Sequence, residues 1–120
     1  MNIKVGNKIV ETDDEGYLLN QAEWDEQVAE EMALRQSQKD DVKLTETHWG
    51  LIQYFRDYYS ENKVHPTMHK LVMTLGRYHG KDFHDRKAYE SFLYELFPHG
   101  PVPELCKLAG LPKPADEFEG

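Results

Sequence analysis

At 120 residues and a net charge of −8, the chain holds one domain, because a second would be too small to fold alone. Its single cysteine, Cys106, excludes an intrachain disulfide and an all-cysteine zinc site. No apolar run approaches the roughly 18 residues of a membrane span, and the N-terminus lacks the basic-then-apolar pattern of a signal peptide, so the cytoplasm is the expected location.

The charge is unevenly spread. Residues 1–62 carry six Lys/Arg against fourteen Asp/Glu, residues 63–87 six against two, and residues 88–120 two against six. An acidic chain with a basic middle can hold an anionic or acidic partner there while the remainder repels bulk nucleic acid.

In chain order, Ile3-Lys4-Val5 and Lys8-Ile9-Val10 flank Gly6-Asn7, a two-residue hairpin turn whose leading glycine suits the twist of the strands. Asp13-Asp14-Glu15-Gly16 forms a second turn, and Tyr17-Leu18-Leu19 is expected as a third short strand of a small meander that needs helices to cover it. Asn20, with Glu23 three residues on, predicts a capped helix from about Gln21 to Gln36, with Trp24, Val28 and Met32 on one face. After a polar connector over 37–43, Thr45 caps a second helix with Trp49, Ile52, Phe55, Arg56 and Tyr59 on one face, ended by Asn62 and His65-Pro66.

A third helix starts near Pro66 or Thr67, turns Met68, Leu71, Val72 and Leu75 inward, and ends between Gly76 and Gly80. Residues 81–87 form a charged loop. Ala88, Tyr89, Phe92, Leu93 and Leu96 give the stripe of a fourth helix, stopped by Pro98 and Gly100-Pro101. A short fifth helix runs from Pro103 to Ala109 with Gly110 as its C-terminal cap. Leu111-Pro112-Lys113-Pro114 reads as extended chain, and 115–120 as a mobile acidic tail beyond a single 1–114 domain.

Several of these segments, taken in order, resemble the DsrC/TusE family of sulfur-relay proteins. They are Asp13-Asp14-Glu15-Gly16-Tyr17-Leu18, Leu44-Thr45-Glu46-Thr47-His48-Trp49, Phe55-Arg56-Asp57-Tyr58-Tyr59, Pro66 at a helix start, Phe92 to Pro98 with Gly100-Pro101, and Cys106 to Pro114. The resemblance implies a mostly helical α+β fold: an N-terminal β-meander on about five helices, a helix-turn-helix-like pair, and a flexible C-terminal arm. Of that arm, Leu111, Pro112, Lys113 and Pro114 are expected to be ordered against the helical body, because the two prolines already restrict the chain.

In the family, a penultimate cysteine on that arm carries persulfide sulfur. TusE proteins pass it toward tRNA wobble-uridine thiolation, and DsrC proteins present it to sulfite reductase, with a second, upstream cysteine as redox partner. Cys106 aligns with the upstream cysteine, whereas Glu117 occupies the place expected for the carrier and Glu119 is penultimate. Sulfur transfer needs a thiolate, and a carboxylate cannot hold a sulfane sulfur. Two further departures are His69 and Met73, where many DsrC proteins have Arg and Lys, and a longer loop before the fourth helix that includes His84 and Arg86.

Cys106 is therefore either a thiol of chemical use or a packed apolar position on a short helix; Lys107 beside it would lower its pKa if the two side chains converge. The six histidines match no known ligand spacing, so surface roles are expected and no metal or cofactor is assigned. Trp24, Trp49 and Tyr54/Tyr58/Tyr59 at helical spacing are core rather than base-stacking residues. No nucleophile–base pair, phosphate loop or paired carboxylates mark an enzyme.

The reading that follows is a binding module, non-enzymatic or regulatory, that docks to a protein partner of sulfur oxidation, sulfite reduction or tRNA thiolation. Lys70, Arg77, Lys81, Arg86 and Lys87 are its expected contacts. The alternatives are a persulfide carrier acting through Cys106 and a helix-turn-helix DNA-binding regulator, which the net charge disfavours.

Overall fold

The computed structural model describes residues 1–37, 44–79 and 86–114. β1 (Asn2–Val5) and β2 (Lys8–Glu11) form an antiparallel hairpin with Ile3 opposite Val10 and Val5 opposite Lys8. Gly6 takes a φ of 60°, the left-handed conformation its turn demands. Alternation puts Ile3, Val5 and Val10 into the core.

The expected third strand is reduced to one antiparallel bridge between Thr12 and Leu18. The Asp13 carboxylate explains this: its Oδ1 accepts from the backbone N–H of both Glu15 and Tyr17, each at 2.9 Å, and curls the chain into a tight turn. Both Tyr17 and Leu18 are then buried, where strand alternation would bury only one of them.

The expected first helix is split. Asn20 does act as a cap, accepting from Ala22 N–H at 3.0 Å, but it opens only a 3₁₀ turn, Gln21–Glu23. Trp24 is extended, and Asp25 then starts α1 (Glu26–Ser37) by accepting from Val28 N–H at 2.9 Å. Lys8 on the hairpin holds the break, pairing with Asp25 at 2.6 Å and donating to the Glu23 carbonyl at 3.2 Å. Two competing caps lie five residues apart, and tertiary contacts favour the second.

α2 (Glu46–Asn62) starts at Thr45 as expected, with His48 completing the capping box. It ends at Lys63 in the left-handed conformation, φ 63°. α3 (Met68–His79) buries Met68, Leu71, Val72 and Leu75. It packs against α4 (Arg86–Leu96), whose Tyr89 and Leu93 are buried. α5 (Pro101–Leu108) begins two residues earlier than expected, because Pro101 itself takes the first helical position after Gly100 at φ 113°.

α5 is the centre of the molecule. It contacts α1, α2 and α4, and Val102, Leu105, Cys106 and Leu108 on it are all buried. Trp49, Tyr54 and Tyr59 pack on the margin of this core, as their helical spacing implied. Trp24 packs there too, but from the extended chain before α1 and not from a helix, and Tyr58 is half-buried with its ring against Tyr54. Among the described residues, no helix is long and apolar enough to cross a membrane.

Candidate functional site

The last turn of α5 leads into the 111–114 segment, so its backbone groups decide where that segment points. A buried helix end must find partners for its terminal carbonyls. Here each one is met. Leu105 O accepts from Ala109 N–H at 2.9 Å; Lys107 O accepts from Gly110 N–H at 3.1 Å and Cys106 O from Leu111 N–H at 2.9 Å, the pair of bonds of a Schellman motif with Gly110 at φ 72°. The Leu108 carbonyl accepts the indole N–H of Trp24 at 2.7 Å, and the Ala109 carbonyl accepts from Arg56 Nη1 at 2.7 Å.

These last two donors also hold each other. The Arg56 guanidinium lies 3.9 Å from the centroid of the Trp24 ring, a cation–π stack. Gly110 completes the closure: a Cβ there would sit 2.6 Å from Trp24 Cδ1. Sequence reading found Gly110 as a cap but missed Trp24 and Arg56 as its partners, since no local pattern connects them to α5.

Beyond Gly110, Leu111 and Pro114 are buried, Pro112 and Lys113 are exposed, and Lys113 Nζ reaches Glu15 at 2.6 Å. The 111–114 segment thus lies on the body beside the Asp13 turn. The 115–120 tail, including Glu117, lies outside the described residues.

Cys106 is wholly buried in the middle of α5, and that burial pushes its thiol pKa up to about 12. Lys107 does not converge on it. Its side chain runs along Gly16, and its ammonium lies 5.1 Å from the Tyr17 ring centroid. The Tyr17 hydroxyl donates to the Pro103 carbonyl at 3.4 Å, and its pKa is also raised to about 12, chiefly by burial.

At the other end of α5, Pro101 and Pro103 bring no N–H to the first turn. The buried Glu104 carboxylate reaches back to accept from His99 N–H at 2.7 Å. Burial raises the Glu104 pKa, partly offset by that hydrogen bond.

The expected basic contacts are spread over two helices. Lys70 is exposed on α3, Lys87 is exposed on α4, and Arg77 and Arg86 lie on the same two helices. Lys81 and His84 lie outside the described residues. Among the described residues, no group of three or more His, Cys, Asp or Glu side chains is placed to hold a metal ion.

Known proteins share this sequence pattern and overall fold. The family described as DsrC-like protein matches residues 4–116. A sulfurtransferase TusE homolog from Haemophilus influenzae is 41% identical over 106 residues, 88% of this chain and 90% of that one. Sulfurtransferase TusE of Photorhabdus laumondii is 37% identical over 105 residues, covering 88% and 87%. Among solved structures, the oxidised γ-subunit of dissimilatory sulfite reductase (DsrC) from Archaeoglobus fulgidus superposes with a TM-score of 0.81 at 37% identity, over 96% of this chain and 97% of that one. DsrC from Allochromatium vinosum gives 0.78 at 38% identity, over 95% of each.

Proposed function

This chain belongs to the DsrC/TusE family, and on that premise we propose that it is a docking member of a sulfur-transfer system that carries no sulfur itself. It offers the family scaffold to a protein partner of the sulfur-transfer or sulfite-reductase type. One observation carries the reading: the only thiol in the 120 residues, Cys106, is wholly buried and held protonated. A thiol whose pKa is about 12 presents almost no thiolate near neutral pH. Exposing it would require α5, the element at the centre of the core, to leave its place.

Support for a protein partner comes from the relatives, one of which is a γ-subunit of a sulfite reductase. The family pattern puts the carrier at position 117, where this sequence has Glu. Persulfide transfer through Cys106 is the competing reading, and burial argues against it.

Mass spectrometry after incubation with polysulfide tests this directly. The native protein should gain no sulfur, whereas Glu117→Cys should gain one (about 32 Da), reversible by reductant. In a sulfur-transfer assay built on a cysteine-bearing TusE relative, excess wild-type chain should lower transfer by competing for the partner. Rapid, stoichiometric sulfur loading of folded wild type at Cys106 would overturn the proposal.

A further inference from the structure

Gly50 lies inside α2, and within a helix only proline is a poorer choice than glycine. Nothing in the body calls for it: its φ is not positive, and a Cβ there would meet no atom within 4 Å. The bare backbone at Gly50 instead lines a groove of about 450 Å³ between the chain entering α1 and the outer face of α2. Trp24, Glu26, Trp49, Ile52 and Gln53 complete its lining.

Both tryptophans of the chain are in that lining, and among the described residues Glu26 is its one ionisable group. From Asn20 to Glu31 the chain carries five carboxylates and no Lys or Arg. Lys8 takes Asp25 and Arg35 takes Glu31, whereas the carboxylates of Glu23, Glu26 and Glu30 pair with no cation among the described residues. The cation nearest the lining in sequence is Arg56, and it is engaged, with its guanidinium on the Ala109 carbonyl and 3.9 Å from the Trp24 ring centroid. That stack shows an indole holding a cation in this protein. With Trp24 so occupied, an incoming cation is set against Trp49 and Glu26. At about 450 Å³ the groove lies within the roughly 300–1,000 Å³ of small-molecule sites. That is more than one side chain fills, so it also admits the backbone that carries the side chain.

We propose that this groove receives a basic protein segment, which sets one arginine or lysine side chain against the Trp49 ring and the Glu26 carboxylate and lays its backbone over Gly50. The inference rests on the docking reading above for the partner's being a protein, while the groove itself selects the charge. Gly50 also borders a second groove toward α3, so Glu26, which lines the first alone, identifies which of the two is used.

A basic hexapeptide with one central arginine and flanking lysines is the probe, read by intrinsic fluorescence, since both tryptophans line the groove. Glu26→Gln should weaken binding about two- to fivefold, with the effect shrinking in salt. Gly50→Leu should weaken it at least about tenfold by obstruction, while its melting temperature rises by a few degrees because leucine is the better helix former. Glu61→Gln, exposed at the far end of α2 and outside the lining, should bind as wild type. Replacing the peptide's arginine by norleucine should cost about three- to tenfold. Equal binding of the norleucine peptide, unchanged binding by Gly50→Leu, or absence of binding at millimolar peptide would each overturn the proposal. So would free argininamide binding as tightly as the peptide, or a single-stranded oligonucleotide binding more tightly. In the sulfur-transfer competition Gly50→Leu should compete less well than wild type; equal competition would leave docking standing and remove this groove as its seat. Failure of wild type to compete, with the peptide bound as expected, would instead overturn the docking reading and leave the groove as a site for basic segments.

Discussion

The indole N–H of Trp24 donates to the Leu108 carbonyl at 2.7 Å, tying the break before α1 to the buried end of α5. With Arg56 on the Ala109 carbonyl and across the same ring, it fixes the direction in which the chain leaves α5. Replacing Trp24 by Phe removes the donor and strands a carbonyl. Urea unfolding should show a loss of about 1–3 kcal/mol. Gly110→Ala should be comparably costly, from about 1–2 kcal/mol of left-handed backbone penalty plus the clash with Trp24. In a Trp24→Ala background the Gly110→Ala cost should fall to the backbone part alone. Strict additivity would mean that the two residues do not touch in solution.

Alkaline titration separates the two buried acids of α5's surroundings. Burial raises the Cys106 pKa from an ordinary value of 9.0 to about 12, so its contribution to stability is whole below pH 9 and is lost as pH rises toward 12. Over that window the unfolded state releases a proton the folded state keeps, a slope of about 1.4 kcal/mol per pH unit. Tyr17, raised from 10.0 to about 12, adds a second slope from pH 10 upward. Cys106→Ala should abolish the first component and leave the second. The same burial predicts that a disulfide reagent labels native Cys106 only as fast as the core opens. Labelling of folded protein at the rate of a free thiol would contradict the buried placement.

On the acid side the group to follow is His48. Its Nδ1 accepts from Thr45 N–H at 3.1 Å in the α2 capping box, while Nε2 faces the Leu96 carbonyl at 3.4 Å and the ring sits edge-on to Phe97. Burial lowers its pKa, and protonating Nδ1 would replace that acceptor with a second donor. A base with a depressed folded pKa stabilises the fold above its unfolded pKa and loses that contribution as pH falls through the folded one. Thermal melts should therefore decline below about pH 6.5, the ordinary histidine value. His48→Gln, which keeps a capping-box acceptor, should flatten the decline. Glu104, whose pKa is raised, works in the opposite sense at lower pH, since its contribution is kept in acid and lost as pH rises.

Much of this architecture was legible in the residues. Thr45, Pro66, the Leu71/Leu75 stripe and Gly110 each act through neighbours within a turn or two of chain, and local patterns found them. What was missed depends on distant contacts. Asn20 and Asp25 are both good caps, and only Lys8 on the hairpin and Leu108 on α5 decide between them. Tyr17-Leu18-Leu19 has strand composition, but the Asp13 carboxylate claims its backbone first. Local sequence leaves Cys106 open between chemistry and packing, because the helices that bury α5 are distant in the chain. Trp24 and Arg56 carried no signal beyond an apolar stripe, since their partners are carbonyls more than fifty residues away.

The 111–114 segment offers a contest between two kinds of anchor, and magnitudes choose between them. Lys113 and Glu15 pair at 2.6 Å, yet both side chains are about half exposed, which limits such a pair to roughly 0–1 kcal/mol and makes it salt-sensitive. Leu111 is buried and its N–H closes the Schellman motif on Cys106 O. Burial of a leucine side chain contributes about 1.5–3 kcal/mol, and truncating it in a core costs about 2–5 kcal/mol. Lys113→Ala should therefore shift unfolding by less than about 1 kcal/mol, and by nothing measurable at high salt. Leu111→Ala should cost several times more at any salt, with faster hydrogen exchange at the end of α5. If Lys113→Ala proved the more costly change, the segment would be held by the ion pair, and raising the salt alone would release it.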